Sequence, residues 1–438
     1  MDLKRVLRLF FPIFIEQLLG ITVGAMSSIM VSGVSDAAVA GVGLINNLNF
    51  VVINMFIAVA TGTTVVAAQC MGRGDAESAR KASAQSLTVV TYISLALTVL
   101  LLLFARPLID FLFGGADAPV LAAAESYLFF SALSMPFLAV YSTVGGIMRS
   151  VGEMKKPMMG GVTANIVNVA VTAAAIFGLR LGVDGAGWGL LFSRALSMAL
   201  MLWMLQRGHG ALSRLTLSFK LTLTVLAPVL SVAIPAAIDA IIFNGCKLLV
   251  QVFMANMGTD TLAAYSILGN MSSFVNVPGG AVSTLAMSIV ANAYGAGDMK
   301  GAHRMSWRLT LLASALTAAA GAIIFVFLHP LIGLFNITDA AYKLVYDNMV
   351  TFIIITPIFW SGSFVLPNCL RSIGRQRYTM AVSIVSMVVL RVFGAWLLGV
   401  HFGMGLYGIW ISMYLDWVGR SVFFALPIIK VPGHKEAA

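Results

Sequence analysis

Leu9-Phe10-Phe11-Pro12-Ile13-Phe14-Ile15-Glu16 and, 223 positions later, Val232-Ala233-Ile234-Pro235-Ala236-Ala237-Ile238-Asp239 each set one carboxylate four residues after a proline in an otherwise apolar run. A charge at mid-bilayer costs about 2.5 to 3.5 kcal/mol on insertion scales, so the same costly pattern found twice marks an internal duplication. The offset also superposes Gly72-Arg-Gly-Asp75 on Gly295-Ala-Gly-Asp298, Gly182 on Gly405 and Gly185 on Gly408. With a slip of one or two positions, Arg149-Ser-Val-Gly152 falls on Arg371-Ser-Ile-Gly374 and Pro136 on Pro357.

Composition says what is duplicated. Of 438 residues, 60% are hydrophobic and only 10% charged, against roughly 25% charged in a soluble protein; the mean hydropathy is +0.96. A spanning helix takes about 20 mostly apolar residues, and twelve such stretches start near residues 9, 38, 82, 119, 157, 183, 222, 260, 304, 340, 378 and 404. The first run resembles a signal peptide, but Pro12 and Glu16 interrupt it and no small-residue cleavage site follows; it reads as a retained span. The net charge of +10 is a topology signal rather than a nucleic-acid one. Twenty of the 27 Lys and Arg fall in loops or termini of one side, among them Lys4, Arg149, Lys155, Lys220, Arg371 and Arg375. Arg106, Arg180 and Lys343 fall on the other, and Arg194, Lys247, Arg391 and Arg420 inside spans. Both termini are therefore expected to be cytoplasmic, in a multi-pass protein of the cell (inner) membrane.

The expected fold is an all-α integral membrane protein. Twelve transmembrane helices form two pseudo-twofold-related six-helix lobes around a central cleft, the even number per half putting the axis along the membrane normal. The lobes are residues 1–206 and 222–438, joined by a cytoplasmic linker at 207–221. Cys70, Cys246 and Cys369 lie far apart in apolar stretches, so neither a disulfide framework nor a zinc site follows.

Pro12-Ile-Phe-Ile-Glu-Gln-Leu-Leu19, Ile29-Met-Val-Ser32, Gly72-Arg-Gly-Asp75 with Ala79-Arg80, Arg149-Ser-Val-Gly-Glu-Met-Lys-Lys-Pro157, and Asn165 and Asn168 before Gly178 together resemble the multidrug and toxic compound extrusion (MATE) family, of the wider MOP flippase superfamily. The resemblance covers essentially the whole chain. It implies an antiporter that exports a substrate from the cytoplasm or inner leaflet on a Na⁺ or H⁺ gradient. One departure stands out: many relatives carry a coupling Asp just before the segment equivalent to Ile29-Met-Val-Ser32, where this chain has Ser27-Ser28. Asn244 stands in the region where sodium-coupled relatives typically carry a glutamate, and span 10 has no mid-span acid.

Three carboxylates lie well inside predicted spans: Glu16, Asp239 and Asp416. In the functional reading Glu16 and Asp239 accept the coupling proton or cation near matching proline bends, with Asp416 the next candidate. In the structural reading they accept hydrogen bonds and hold their lobe together. Lys247, which the offset lands on Gly24, pairs with Glu16 or Asp239, replaces a metal cation as fixed countercharge, or contacts an anionic headgroup. Arg391, which lands on Asn168, is similar, whereas Asp416 and Arg420, one helical turn apart, neutralise each other. Of the in-span amides most are expected to join helices, with Asn54 and Asn276 the better candidates for a substrate cavity, alongside Asn165, Asn168 and Asn244.

The leading expectation is thus a secondary active exporter moving organic, amphipathic or cationic compounds by alternating access, with H⁺ favoured over Na⁺ because a sodium site next to the Lys247 ammonium is opposed by its charge. No cofactor, no resident metal and no nucleic-acid partner are expected; the partners are a small organic substrate and membrane lipids, and the protein acts as a monomer. A flippase for a lipid-linked precursor is the alternative, suited to the in-span cations Lys247 and Arg391, and a channel comes third. An enzyme is not expected, since the five histidines are scattered with no nucleophile constellation beside them.

Overall fold

The computed structural model describes residues 3–208, Leu212, Leu215, 221–255, 257–335 and 337–429. Among them there is no strand. All twelve expected spans are helices that start within about six residues of their expected positions: α1 (Leu3–Ser32), α2 (Asp36–Gly72), α3 (Ala76–Leu103), α4 (Ala118–Ser150), α5 (Lys155–Ala173), α6 (Val183–Arg207), α7 (Leu223–Ala255), α8 (Thr259–Gly295), α9 (Met299–Val326), α10 (Asp339–Phe364), α11 (Gln376–Ser386) and α12 (Gly405–Ile429). Eleven are long and apolar enough to cross a membrane by composition alone; α12, with Asp416 and Arg420, falls outside that set. π-helical turns extend α5 over Ala174–Gly178 and α11 over Met387–Phe393 and Ala395–His401, and a short helix Leu366–Ser372 extends α10.

The duplication is legible in the backbone. Gly74 and Gly297 close α2 and α8 at φ +77° and +78°, Gly152 and Gly374 follow at +80° and +83°, and Gly182, just before α6, and Gly405, the first residue of α12, stand at +58° and +57°. Only a residue without a Cβ takes such angles at no cost, so each turn requires its glycine. Asp75 and Asp298 then cap α3 and α9 by accepting from the amides of Ser78 and Gly301 at 2.9 and 2.7 Å. Short helices at Ala105–Phe113 and Leu328–Gly333 repeat at the same offset.

The chain divides into two compact units, Met1–Ala237 and Ile238–Ala438, the division falling inside α7. In the first, small residues let helices approach closely: Gly41 sits on the backbone of Val120 and Ala124, and Gly146 on that of Ala60. The first turns of α7 belong to this unit, where Gly62 meets Val229, and the Thr222 amide donates to Gln85. In the second unit the core is richer in aromatics, with Phe352, Trp360, Trp410, Tyr414 and Trp417 packed together. Large apolar side chains such as Leu103 (70% exposed), Val326 (72%) and Phe111 (85%) point outward, as a chain whose solvent is lipid requires. Most of the linker expected at 207–221, with Arg214 and Lys220, and the C-terminal Lys430 and Lys435, lie outside the described residues.

Candidate transport site

Glu16 and Asp239 each meet an arginine of their own unit. The Arg149 guanidinium, in the last turn of α4, donates through Nη2 to both oxygens of Glu16 at 2.7 and 2.9 Å. Arg371, near the end of the α10 extension, donates to Asp239 at 2.5 Å and to Asn368 at 3.0 Å. These side chains are mostly buried, at 15% and 20% exposure in the first pair and 16% and 11% in the second. Gly161 of α5 makes the room: a Cβ there would stand 3.0 Å from Glu16 and 3.3 Å from the Tyr141 hydroxyl, so both side chains face the same gap. Two expectations change accordingly. Arg149 and Arg371 are not loop cations, because their helices run on to Ser150 and Ser372 before turning. Lys247 pairs with neither repeat acid, since arginines already occupy both.

Tyr141 also lines a cavity of about 610 Å³ within the first unit. Its wall mixes apolar residues with Ser27, Asn46, Tyr127, Asn165, Asn168 and Arg194, and no carboxylate lines it. Ser27 donates to Asn168 at 3.0 Å, tying α1 to α5, and Arg194 donates to Ser134 of α4 at 2.7 Å. A chamber of this size and mixed lining is what a drug-sized organic ligand needs.

In the second unit Asp416 is fully buried. Its Oδ1 accepts from Ser386 at 2.6 Å, while Oδ2 stands 3.5 Å from Arg391 and 3.9 Å from Arg420, ion pairs too long to be hydrogen bonds. The expected Asp416 and Arg420 pair is thus a triad, with Arg391 the nearer cation. Arg420 donates to the Ser363 carbonyl at 3.3 Å and lies over the Phe364 ring at 4.9 Å. Lys247 and Arg391 line a small cavity of about 20 Å³ with Tyr265, Ile409, Trp410 and Met413.

The amides divide. Asn165 and Asn168 face the large cavity. Asn54 and Asn244 instead donate to Phe50 and Ala240 of their own helices, both at 2.7 Å, because an amide in lipid satisfies itself most cheaply on the carbonyl one turn back. The Asn276 side-chain oxygen is buried with no hydrogen-bond partner. Asn49 joins helices as expected of most of the group, accepting from Ser131 at 2.6 Å.

Comparison with known proteins decides the family. The MatE family model matches residues 12–173 and 235–397, two windows that open on Pro12 and Pro235. The chain belongs to the MatE family. It is 29% identical over 415 residues to the uncharacterized transporter YisQ of Bacillus subtilis (strain 168), spanning 94% of this chain and 90% of that one. To the probable multidrug resistance protein NorM of Thermotoga maritima it is 25% identical over 454 residues, spanning 99% and 94%. Among solved structures, an outward-facing multidrug resistance MATE family transporter of the MOP superfamily superposes with a TM-score of 0.90 at 19% identity, over 97% of this chain and 96% of that one.

Against this MatE fold, the residues missed from sequence are Arg149 and Arg371. Hydropathy assigns a basic residue beside a glycine turn to the loop, and it contains nothing about where the side chain points. The signal was nonetheless present, since Arg149-Ser-Val-Gly152 and Arg371-Ser-Ile-Gly374 repeat as the acids do.

Proposed function

We propose that this multi-pass membrane transporter is a secondary active exporter that moves organic, amphipathic or cationic compounds from the cytoplasm or inner leaflet by alternating access, in exchange for protons, with both termini cytoplasmic and a single chain as the working unit. The observation that carries the reading is the 610 Å³ cavity of the first unit, large enough for a drug-sized molecule and lined by Tyr141, whose hydroxyl shares the gap over Gly161 with the ion-paired Glu16. The relatedness to a probable multidrug resistance protein supports organic compounds as cargo.

The coupling step is assigned to Glu16, with Asp239 its counterpart and Asp416 in reserve. Any coupling ion must share the Glu16 carboxylate with the Arg149 guanidinium, whose Nη2 reaches both oxygens. A proton adds no coordination demand once it arrives, whereas Na⁺ needs several oxygens and is repelled by the guanidinium beside it; this supports H⁺ over Na⁺. Protonation neutralises Glu16, weakens its hold on Arg149 and alters the Tyr141 end of the cavity, so carboxylate occupancy and substrate occupancy become linked.

Purified protein in liposomes, with pH and Na⁺ gradients imposed separately and ethidium among a panel of cationic dyes, tests this. Expected are dye movement driven by the pH gradient alone and its loss in Glu16→Gln and in the Glu16→Gln/Arg149→Gln double variant, which removes both charges of the pair. Transport driven by Na⁺ at clamped pH would overturn the choice of ion. Wild-type pH-driven transport in a folded Glu16→Gln protein would move the coupling site elsewhere, with Asp416 next.

A further inference from the structure

The two cavities occupy equivalent places in the duplicated halves. Of the seven residues lining the small cavity of the second unit, the 223-residue offset carries six, Lys247, Val250, Tyr265, Arg391, Ile409 and Met413, onto Gly24, Ser27, Val42, Asn168, Ala186 and Leu190 of the large cavity's wall in the first, and Trp410 onto Gly187 outside it. Asp416 and Arg420 likewise land on Ser193 and Ser197 of that wall. The same place is therefore roomy and uncharged at these positions in one half, and narrow and charged in the other.

The charge is unbalanced. Lys247, Arg391, Arg420 and Arg371 face only Asp416 and Asp239; Asp239 is paired with Arg371, and Asp416 is already shared between two guanidiniums and Ser386. Among the described residues no carboxylate lies within salt-bridge distance of Lys247, and the Arg391 Nη1 is buried without a hydrogen bond. Phe243 holds the Arg391 guanidinium from one side, at 5.5 Å from its ring centroid. Two cations facing one cavity repel each other in a medium of low dielectric unless an anion stands between them. The space of about 20 Å³ admits only a small end group, while Tyr265, Trp410 and Met413 offer polarisable apolar surface beside it.

We propose that this cavity is an anion subsite: Lys247 and Arg391 take the carboxylate of a transported amphiphile, Tyr265, Trp410 and Met413 lie against its apolar body, and Asp416 is a positioning residue that aims Arg391. The inference rests on the exporter reading in that it extends the cargo from cations to organic anions and zwitterions.

The test uses two fluorescent probes with one aromatic body, 1-pyrenebutyrate and 1-pyrenebutanol, titrated against the full chain in maltoside micelles free of anionic lipid. Wild-type protein is expected to bind the carboxylate about tenfold more tightly than the alcohol, as a charge-assisted contact implies. Lys247→Met should erase that preference, and Lys247→Arg should keep most of it. Equal binding of the two probes to the wild type, or a preference that survives Lys247→Met and is instead lost in Arg194→Met, would overturn the subsite. Added phosphatidylglycerol distinguishes the source of the anion: pyrenebutyrate that stays bound supports a carboxylate cargo, and its displacement at low lipid would overturn that assignment in favour of a lipid headgroup. Gradient-driven ethidium transport, read separately, keeps the two proposals apart: transport without carboxylate preference removes only the subsite, and a Lys247-dependent preference without transport of any compound removes only the exporter.

Discussion

At the scale of residues, the pairing of Glu16 with Arg149 and of Asp239 with Arg371 sets what substitution there will do. Breaking a buried pair by removing one partner costs about 3 to 5 kcal/mol, because the other charge is left unpaired, while removing both can be nearly neutral. At 15% and 20% exposure the first pair belongs near the lower end of that range. Glu16→Gln and Arg149→Gln are each expected to lower stability in detergent by about 3 kcal/mol, and the double variant by clearly less than the sum. Additive losses in thermal unfolding would show that the pair contributes no coupling. The acids were legible in sequence because a carboxylate in an apolar run is conspicuous. Their partners were not, since Arg149 and Arg371 stand at helix ends where hydropathy changes sign, and only the direction of a side chain turns a loop cation into a buried one. The same limit applies to Asn54 and Asn244, whose amides fold back onto their own helices, a choice that composition does not record.

At the scale of elements, helix number and order followed from apolar run length and turn glycines, and the structure agrees for α1 to α12. Sequence periodicity missed the π-helical turns that end α5 and α11, because one extra residue in a turn leaves an all-apolar stretch looking the same. Arg391 sits in the second of these, so the turn that aims it into its cavity was invisible in advance. Close packing gives a sharper test. A Cβ on Gly146 would meet the Ala60 carbonyl oxygen and the Thr64 hydroxyl, both at 2.7 Å, so α4 and α2 must separate to admit one. Gly146→Val is expected to cost about 1 to 3 kcal/mol by overpacking, read as a lower unfolding temperature, whereas Gly43→Val, with open space around it, should leave that temperature nearly unchanged. The caps add a pH term at the same scale. Hydrogen bonds from Ser78, backed by Arg73 and Lys81, hold the Asp75 carboxyl below its ordinary value of 3.8. The contribution of this cap is thus present above that value and fades as pH falls through the lower folded one.

At the scale of the whole molecule, the duplication and the excess of basic residues in alternate loops predict how the chain lies in its membrane. Single cysteines at Lys155 and Arg375 should react in intact cells only with a permeant thiol reagent, and those at Asp36 and Gly403 with an impermeant one as well; all four positions are exposed. The native Cys70, Cys246 and Cys369 are buried and give little background. Impermeant labelling at Lys155 or Arg375 would reverse the orientation.

Timing during synthesis adds a constraint of its own. Glu16 and Arg149 are 133 residues apart, and Asp239 and Arg371 are 132 apart. At about 5 to 20 residues per second, the ribosome has delivered each acid roughly 7 to 27 s before its arginine exists. For that interval α1, and later α7, hold a carboxylate without the guanidinium that will hold it in the finished protein. Each first helix therefore bears the cost of an unpaired carboxylate, about 2.5 to 3.5 kcal/mol on insertion scales, until the fourth helix of its half arrives and the ion pair removes it.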